Sequence, residues 1–149
     1  MLDTTWEILD MVVERLESKS GPLGLKFVGK YNEKIIPNYP AVVVLPGPRV
    51  KTYHGLHTFN VLVQLDLYIY HANLSLTKRE RSKADMQLVS NVEAELDSDF
   101  LWRSESGAPQ LINAFVSNEE PGVMQPRAGK SSLVICTKLT WRATSQRRF

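Results

Sequence analysis

The sequence predicts an α+β fold: a mostly antiparallel sheet with two helices packed on one face, and an extended β-arm or hairpin. Three observations point there. TFNVLVQLDLYIY, residues 58–70, alternates without a break, with Phe59, Val61, Val63, Leu65, Leu67 and Ile69 on one face and Leu62 the only aliphatic residue on the other; that period of two belongs to a β-strand. Two further segments repeat apolar residues at helical spacing. The connections on either side of the second helix are of hairpin length, which favours antiparallel pairing.

The first helix is TTWEILDMVVERLES. Trp6, Leu9, Val13 and Leu16, flanked by Ile8 and Val12, form its apolar face, while Asp10, Glu14 and Glu17 point outward. Thr4 and Glu7 make a capping box, and SGPLG at 20–24 ends the helix. LKFVGKY (25–31) alternates weakly as a strand, and NEKIIPNYP is an irregular connector. AVVVLPG (41–47), with Pro at each end, reads as a short strand covered on both faces. PRVKTYHGLH then leads into the long strand as a turn or as the second arm of a hairpin.

HANLSL (71–76) breaks the alternation. A second helix starts at a capping box of Thr77 and Glu80, runs to about Asp97, and aligns Ala84, Leu88, Val89, Val92 and Leu96. FLWRSESGAPQ is its exit loop, and LINAFVS (111–117) a modest strand. NEEPGVMQPRAGK (118–130), with two Pro and two Gly, reads as a long loop or extended hairpin tip. The last strand is SSLVICTKLTWRAT (131–144), placing Leu133, Ile135, Leu139 and Trp141 opposite Val134, Cys136, Lys138 and Arg142; residues 145–149 form a short basic tail.

A chain of 149 residues with 43% hydrophobic content suits one domain, residues 1–149, with an ordinary core. Its net charge of +2 argues against a dedicated DNA-wrapping protein, which would concentrate a basic face. The single cysteine excludes an internal disulfide framework and fits a reducing compartment. The acidic N-terminal segment does not read as a signal peptide, and no apolar run approaches a membrane span. The expectation is a soluble chain made in a cytoplasm.

The motifs offer little chemistry. RAGKSS (127–132) resembles part of a phosphate-binding loop, but Met124 stands where the first glycine is needed and a strand follows instead of a helix. His54 and His57 point to opposite faces at strand geometry, and His71 lies at the far end, so solvated edge histidines are expected and no metal site. Asp97 and Asp99 have calcium-loop spacing, yet Trp102 occupies the glycine position. Cys136 is mid-strand and reads as a small buried hydrophobe. Neither cofactor nor enzymatic activity is expected. The scattered Arg and Lys residues read as a solvated surface of mixed charge, some of which could face passing DNA without reading its sequence.

The long strand would span roughly 43 Å if straight, whereas a compact chain of this length has a radius of gyration of about 15 Å. Such a strand either bends at a bulge or extends as an arm that another chain covers. Leu62, Tyr68 and Tyr70 on its polar face suit an interface.

In element order the chain resembles the tail-terminator and neck proteins of long-tailed bacteriophages. The likeness lies in the first helix, then NYPAVVVLPG (38–47), VLVQLDLYIYH (61–71), NVEAELDSD (91–99) and LVICTKLTWRA (133–143). It covers nearly the whole chain through patterning rather than an invariant motif.

The resemblance implies a structural virion protein that acts without catalysis. Six copies would form a ring that caps the tail tube and gives the head connector a docking surface, with double-stranded DNA passing through the lumen. The implied partners are further copies of the chain, the major tail tube protein and head–tail connector proteins; no membrane is involved. The implied location is the virion tail or neck, after synthesis in the host bacterial cytoplasm.

A head–tail connector or stopper protein is the neighbouring alternative, favoured by the 118–130 loop; a small α+β binding module or enzyme acting alone is the more remote one. Three regions would carry interfaces. They are the arm with Arg49, Lys51, Tyr53, His54 and His57, the outer face of the long strand with Gln64, Asp66, Tyr68 and Tyr70, and the loop with Glu119, Glu120, Met124, Arg127 and Lys130.

Overall fold

A computed structural model describes residues 4–30, 36, 38–53, 58–71, 83–97, 111–126 and 133–148. Helix α1 spans Thr4–Ser18, a short α2 spans Ser20–Leu23, and α3 spans Lys83–Asp97. The strands are β1 (Phe27–Lys30), β2 (Ala41–Tyr53), β3 (Thr58–Tyr70), β4 (Leu111–Pro126) and β5 (Leu133–Arg148). They form one sheet in the order β1-β2-β3-β5-β4. Only β1 and β2 pair in parallel; the other neighbours are antiparallel. The expected α+β architecture is therefore present, with α2 as a third, four-residue helix that SGPL builds before Gly24 closes it at φ 78°. That left-handed turn suits a residue without Cβ.

The core lies between the sheet and the two long helices. Ile8, Leu9, Val12, Val13 and Leu16 of α1, and Leu88, Val89, Val92 and Leu96 of α3, pack against Val42, Val44, Val63, Leu65, Leu67, Leu139 and Trp141. The expected helical stripes are thus the buried ones, except that Trp6 stays 44% exposed and the side chain of Ala84 lies outside the described residues. It precedes Ile8, the first buried residue of α1, by two positions, so the amphipathic pattern extends further than the burial. An ion pair from Arg15 Nε to Glu95 Oε1 at 3.3 Å ties α1 to α3. The two capping boxes depend on Thr4, whose side chain lies outside the described set, and on Thr77 and Glu80, which lie outside the described residues.

Three boundaries differ from the sequence reading. The strand expected to stop at residue 47 continues through Pro46 and Pro48 to Tyr53. β1 pairs with β2 only as far as Lys30↔Val44, and the β2–β3 register shifts between Pro46 and Arg49. Among the described residues β2 is therefore a bulged edge beyond β1, where missing N–H donors are tolerated. Residues 118–126, read as a long loop or an extended hairpin tip, belong to β4, which pairs with β5 as far as Pro126↔Leu133, so of the two readings the extended hairpin holds there; β4 is another edge strand, with shifts at Val116/Asn118 and Glu120/Val123. Residues 145–148, read as a basic tail, extend β5 alongside β3, as in Ser145↔Val61 and Arg148↔Thr58.

The histidine expectation is also corrected in part. His54 and His57 lie outside the described residues, but His71 is fully buried and not a solvated edge residue. Its Nε2 is 3.0 Å from Thr137 Oγ1 and its Nδ1 3.7 Å from Asp85 Oδ1. It therefore pins the end of β3 to β5 and to the first turn of α3. Alternation places a residue at 71 on the covered face, and a buried imidazole needs such polar neighbours.

Candidate assembly surface

The helices cover one face of the sheet, and cross-strand pairing fixes what the other presents. Residues paired across strands share a face, so Tyr68 lies between Val43 and Lys138, with Glu120 beyond Lys138 on β4. One row along, Asp66 lies between Leu45 and Thr140; next, Gln64 pairs with Arg142 and Arg142 with Phe115. Towards the β2–β3 tip, Val50 pairs with Leu62 and Leu62 with Thr144. This open face mixes polar and apolar groups. Val50 is 53% exposed, Leu62 37% and Phe115 39%.

A small second core closes one end of that face. Ile36, Ala41, Tyr70 and Cys136 are buried there, with Phe27, Tyr39, Val43 and Tyr68 packed around them. Tyr39 and Tyr70 sit ring to ring at 6.3 Å, and the Tyr39–Pro40 peptide is cis. Burial pushes the Tyr70 phenol up to about 12. It also raises Tyr68, an effect that Lys138 opposes and Asp66 reinforces. Gln64 Nε2 donates to Asp66 Oδ1 at 3.3 Å, holding two polar side chains of β3 together. Cys136 is fully buried in this second core, the place expected of a small hydrophobe.

The expected interface residues fall on separate surfaces. Gln64, Asp66 and Tyr68 share the open face with Glu120, whereas Tyr70 is withdrawn into the second core. Glu119 pairs with Leu139 and so faces the helix side, on the outer strand β4. Arg49 and Lys51 also face the helix side, paired with Val63 and Val61 at the opposite border, and both are exposed. Tyr53 closes the β2–β3 ladder against Phe59, and Met124 pairs with Ile135 in the β4–β5 ladder. Arg127 and Lys130, like His54 and His57, lie outside the described residues.

Asp97, noted in the sequence for its calcium-loop spacing, has a structural task instead. Asp97 Oδ1 accepts the Val116 N–H at 2.8 Å, anchoring the end of α3 at a bulge of β4. On the same border Glu93 of α3 is held above the ordinary carboxylate range, by burial first and then by Glu119 and Asp97. Val50 and Phe115 gain meaning only from pairing, which no local pattern reveals. Leu62 did carry a signal, as the lone aliphatic residue of a polar face. Among the described residues no group of three or more His, Cys, Asp or Glu side chains is placed to hold a metal ion. No described helix is long and apolar enough to cross a membrane.

No protein-family model matches the chain, and no curated protein matches it significantly. Among solved structures it is similar to a chain in the virion of a native gene transfer agent particle. The TM-score is 0.56 at 11% identity, over 91% of this chain and 92% of the other. At that identity the similarity is one of fold.

Proposed function

We propose that this chain is a structural virion protein, a tail terminator whose copies form a six-membered ring that caps the tail tube and offers a surface to the head connector. One observation carries the reading: the fold likeness to a chain of a virion particle runs through nearly the full length of both chains. Two features support it. Towards its tip the three-stranded ribbon of β2, β3 and β5 exposes Val50 and Leu62 on the face away from the helices, and such exposed apolar groups mark contacts with other proteins. Catalysis has no place in this role.

The connector or stopper reading drew on a long loop at 118–130, and residues 118–126 are strand, so the terminator is preferred. The test is the mass of the purified protein by light scattering over a concentration series, alone and with tail-tube protein. A hexamer, spontaneous or induced by the tube, is expected. A monomer that ignores the tube at every concentration sinks the terminator.

A further inference from the structure

The two lateral borders of the sheet expose different chemistry. At the β2–β3 arm, Val50 and Leu62 are exposed side by side on the open face, while Arg49 and Lys51 project on the helix side. At the β4 border, Phe115 is exposed on the open face, while Glu119 and Asp97 are exposed on the helix side. Apolar groups thus occur on the same face at both borders, and on the other face basic groups at one border answer acidic groups at the other.

We propose that the β2–β3 arm docks against the β4 border of a second copy of this chain, head to tail. Val50 and Leu62 meet Phe115 on the open side, and Arg49 and Lys51 meet Glu119 and Asp97 on the helix side. The proposal rests on the ring reading and deepens it by naming the two borders that join.

Symmetry makes the match meaningful. With each sheet lying along the ring wall, as this docking requires, rotation about the ring axis keeps the same face of every copy turned inward, so open side meets open side and helix side meets helix side. Both borders satisfy that condition. A two-fold dimer through either border would instead set like charges against each other, which is unfavourable. Acids already crowd Glu93 at the β4 border, and an incoming arginine or lysine would relieve them.

The join uses side chains rather than an added strand. Pro46 and Pro48 interrupt the free edge of β2 and Pro121 that of β4, which blunts backbone pairing with another chain. Levels along the strands also differ. Arg49 is level with Val63 and Glu119 with Leu67, while Val50 is level with Leu62 and Phe115, through Arg142, with Gln64. Lys51, level with Val61, stands six residues from the level of Glu119, so the offsets run from two to six residues, roughly 7–20 Å, and the strands must lean from the ring axis for the borders to meet.

Charge reversal tests the pairing on the full chain. Lys51→Glu, Glu119→Lys and the two together are compared with wild type by light scattering, alone and with tail-tube protein, after thermal melts establish that each variant is folded. Each single reversal is expected to weaken assembly by about tenfold, and the double reversal to restore it, because every interface then regains opposite charges. If the wild type assembles and the reversals change nothing, or the double variant fails to recover, the border pairing is overturned while the ring stands. If the wild type never assembles, both are overturned.

Discussion

Single residues in this chain take their character from which sheet face they occupy. His71 and Tyr70 are neighbours, yet one is buried under α3 beside Thr137 and the other under Ile36 and Tyr39. Tyr70 titrates accordingly. Its folded-state value of about 12 lies above the ordinary 10 because burial disfavours the phenolate. Below pH 10 both folded and unfolded chains keep the proton, and this group adds no pH dependence. Between pH 10 and about 12 the unfolded chain releases the proton first, so stability falls, and the loss is complete above that window. Denaturant unfolding over alkaline pH should therefore show a decline in the wild type that Tyr70→Phe reduces, with the remainder owed partly to Tyr68, whose phenol is raised as well. An unchanged alkaline profile in Tyr70→Phe would mean that the phenol is not held in the second core.

The body of each element was legible and the ends only in part: 48–53 was left open between a turn and a hairpin arm, 118–126 between a loop and a hairpin tip, and 145–148 read as a tail. β3 alternates because both of its neighbours and the core demand it, and α1 and α3 carry their stripes for the same reason. The outer half of β2 contains Pro46, Gly47 and Pro48, and β4 contains residues 118–122, Asn-Glu-Glu-Pro-Gly. Both look like turns because turn chemistry is what an unpaired edge accepts. The candidate surface was legible only in outline, since Val50, Phe115 and Asp97 matter through partners distant in the chain.

Gly47 shows how tightly the β2 bulge is fitted. A Cβ there would lie 3.1 Å from the Gln64 carbonyl oxygen and 3.2 Å from its Cγ. Gly47→Ala is expected to cost about 1 kcal/mol or more by pressing β2 off β3, whereas Gly21→Ala, with nothing within 4 Å, should be close to neutral. Equal effects of the two in denaturant unfolding would show that the bulge gives way freely.

For the molecule as a whole, the sheet order matters more than any single contact. β5 follows β4 in the chain but lies between β3 and β4, which never pair with each other. Until β5 arrives, the two halves of the sheet cannot close over the core. Its pairing with β3 spans far more sequence than the β2–β3 hairpin, and such long-range pairing is the slow kind. Pulse-labelling hydrogen exchange during refolding should protect β2–β3 amides first and the amides shared by β3 and β5 last. Simultaneous protection would mean that the sheet forms in one concerted step.

The same placement has a consequence during translation. A ribosome must thread β5 out of its exit tunnel before the sheet is complete, and until then β3 and β4 both offer raw edges in a crowded cytosol. The incomplete chain is therefore more prone to mispair with its siblings than the finished one, whose free edges carry proline and charge. Copies of this protein become safe neighbours for one another only after synthesis has passed β5, the strand that joins β3 to β4.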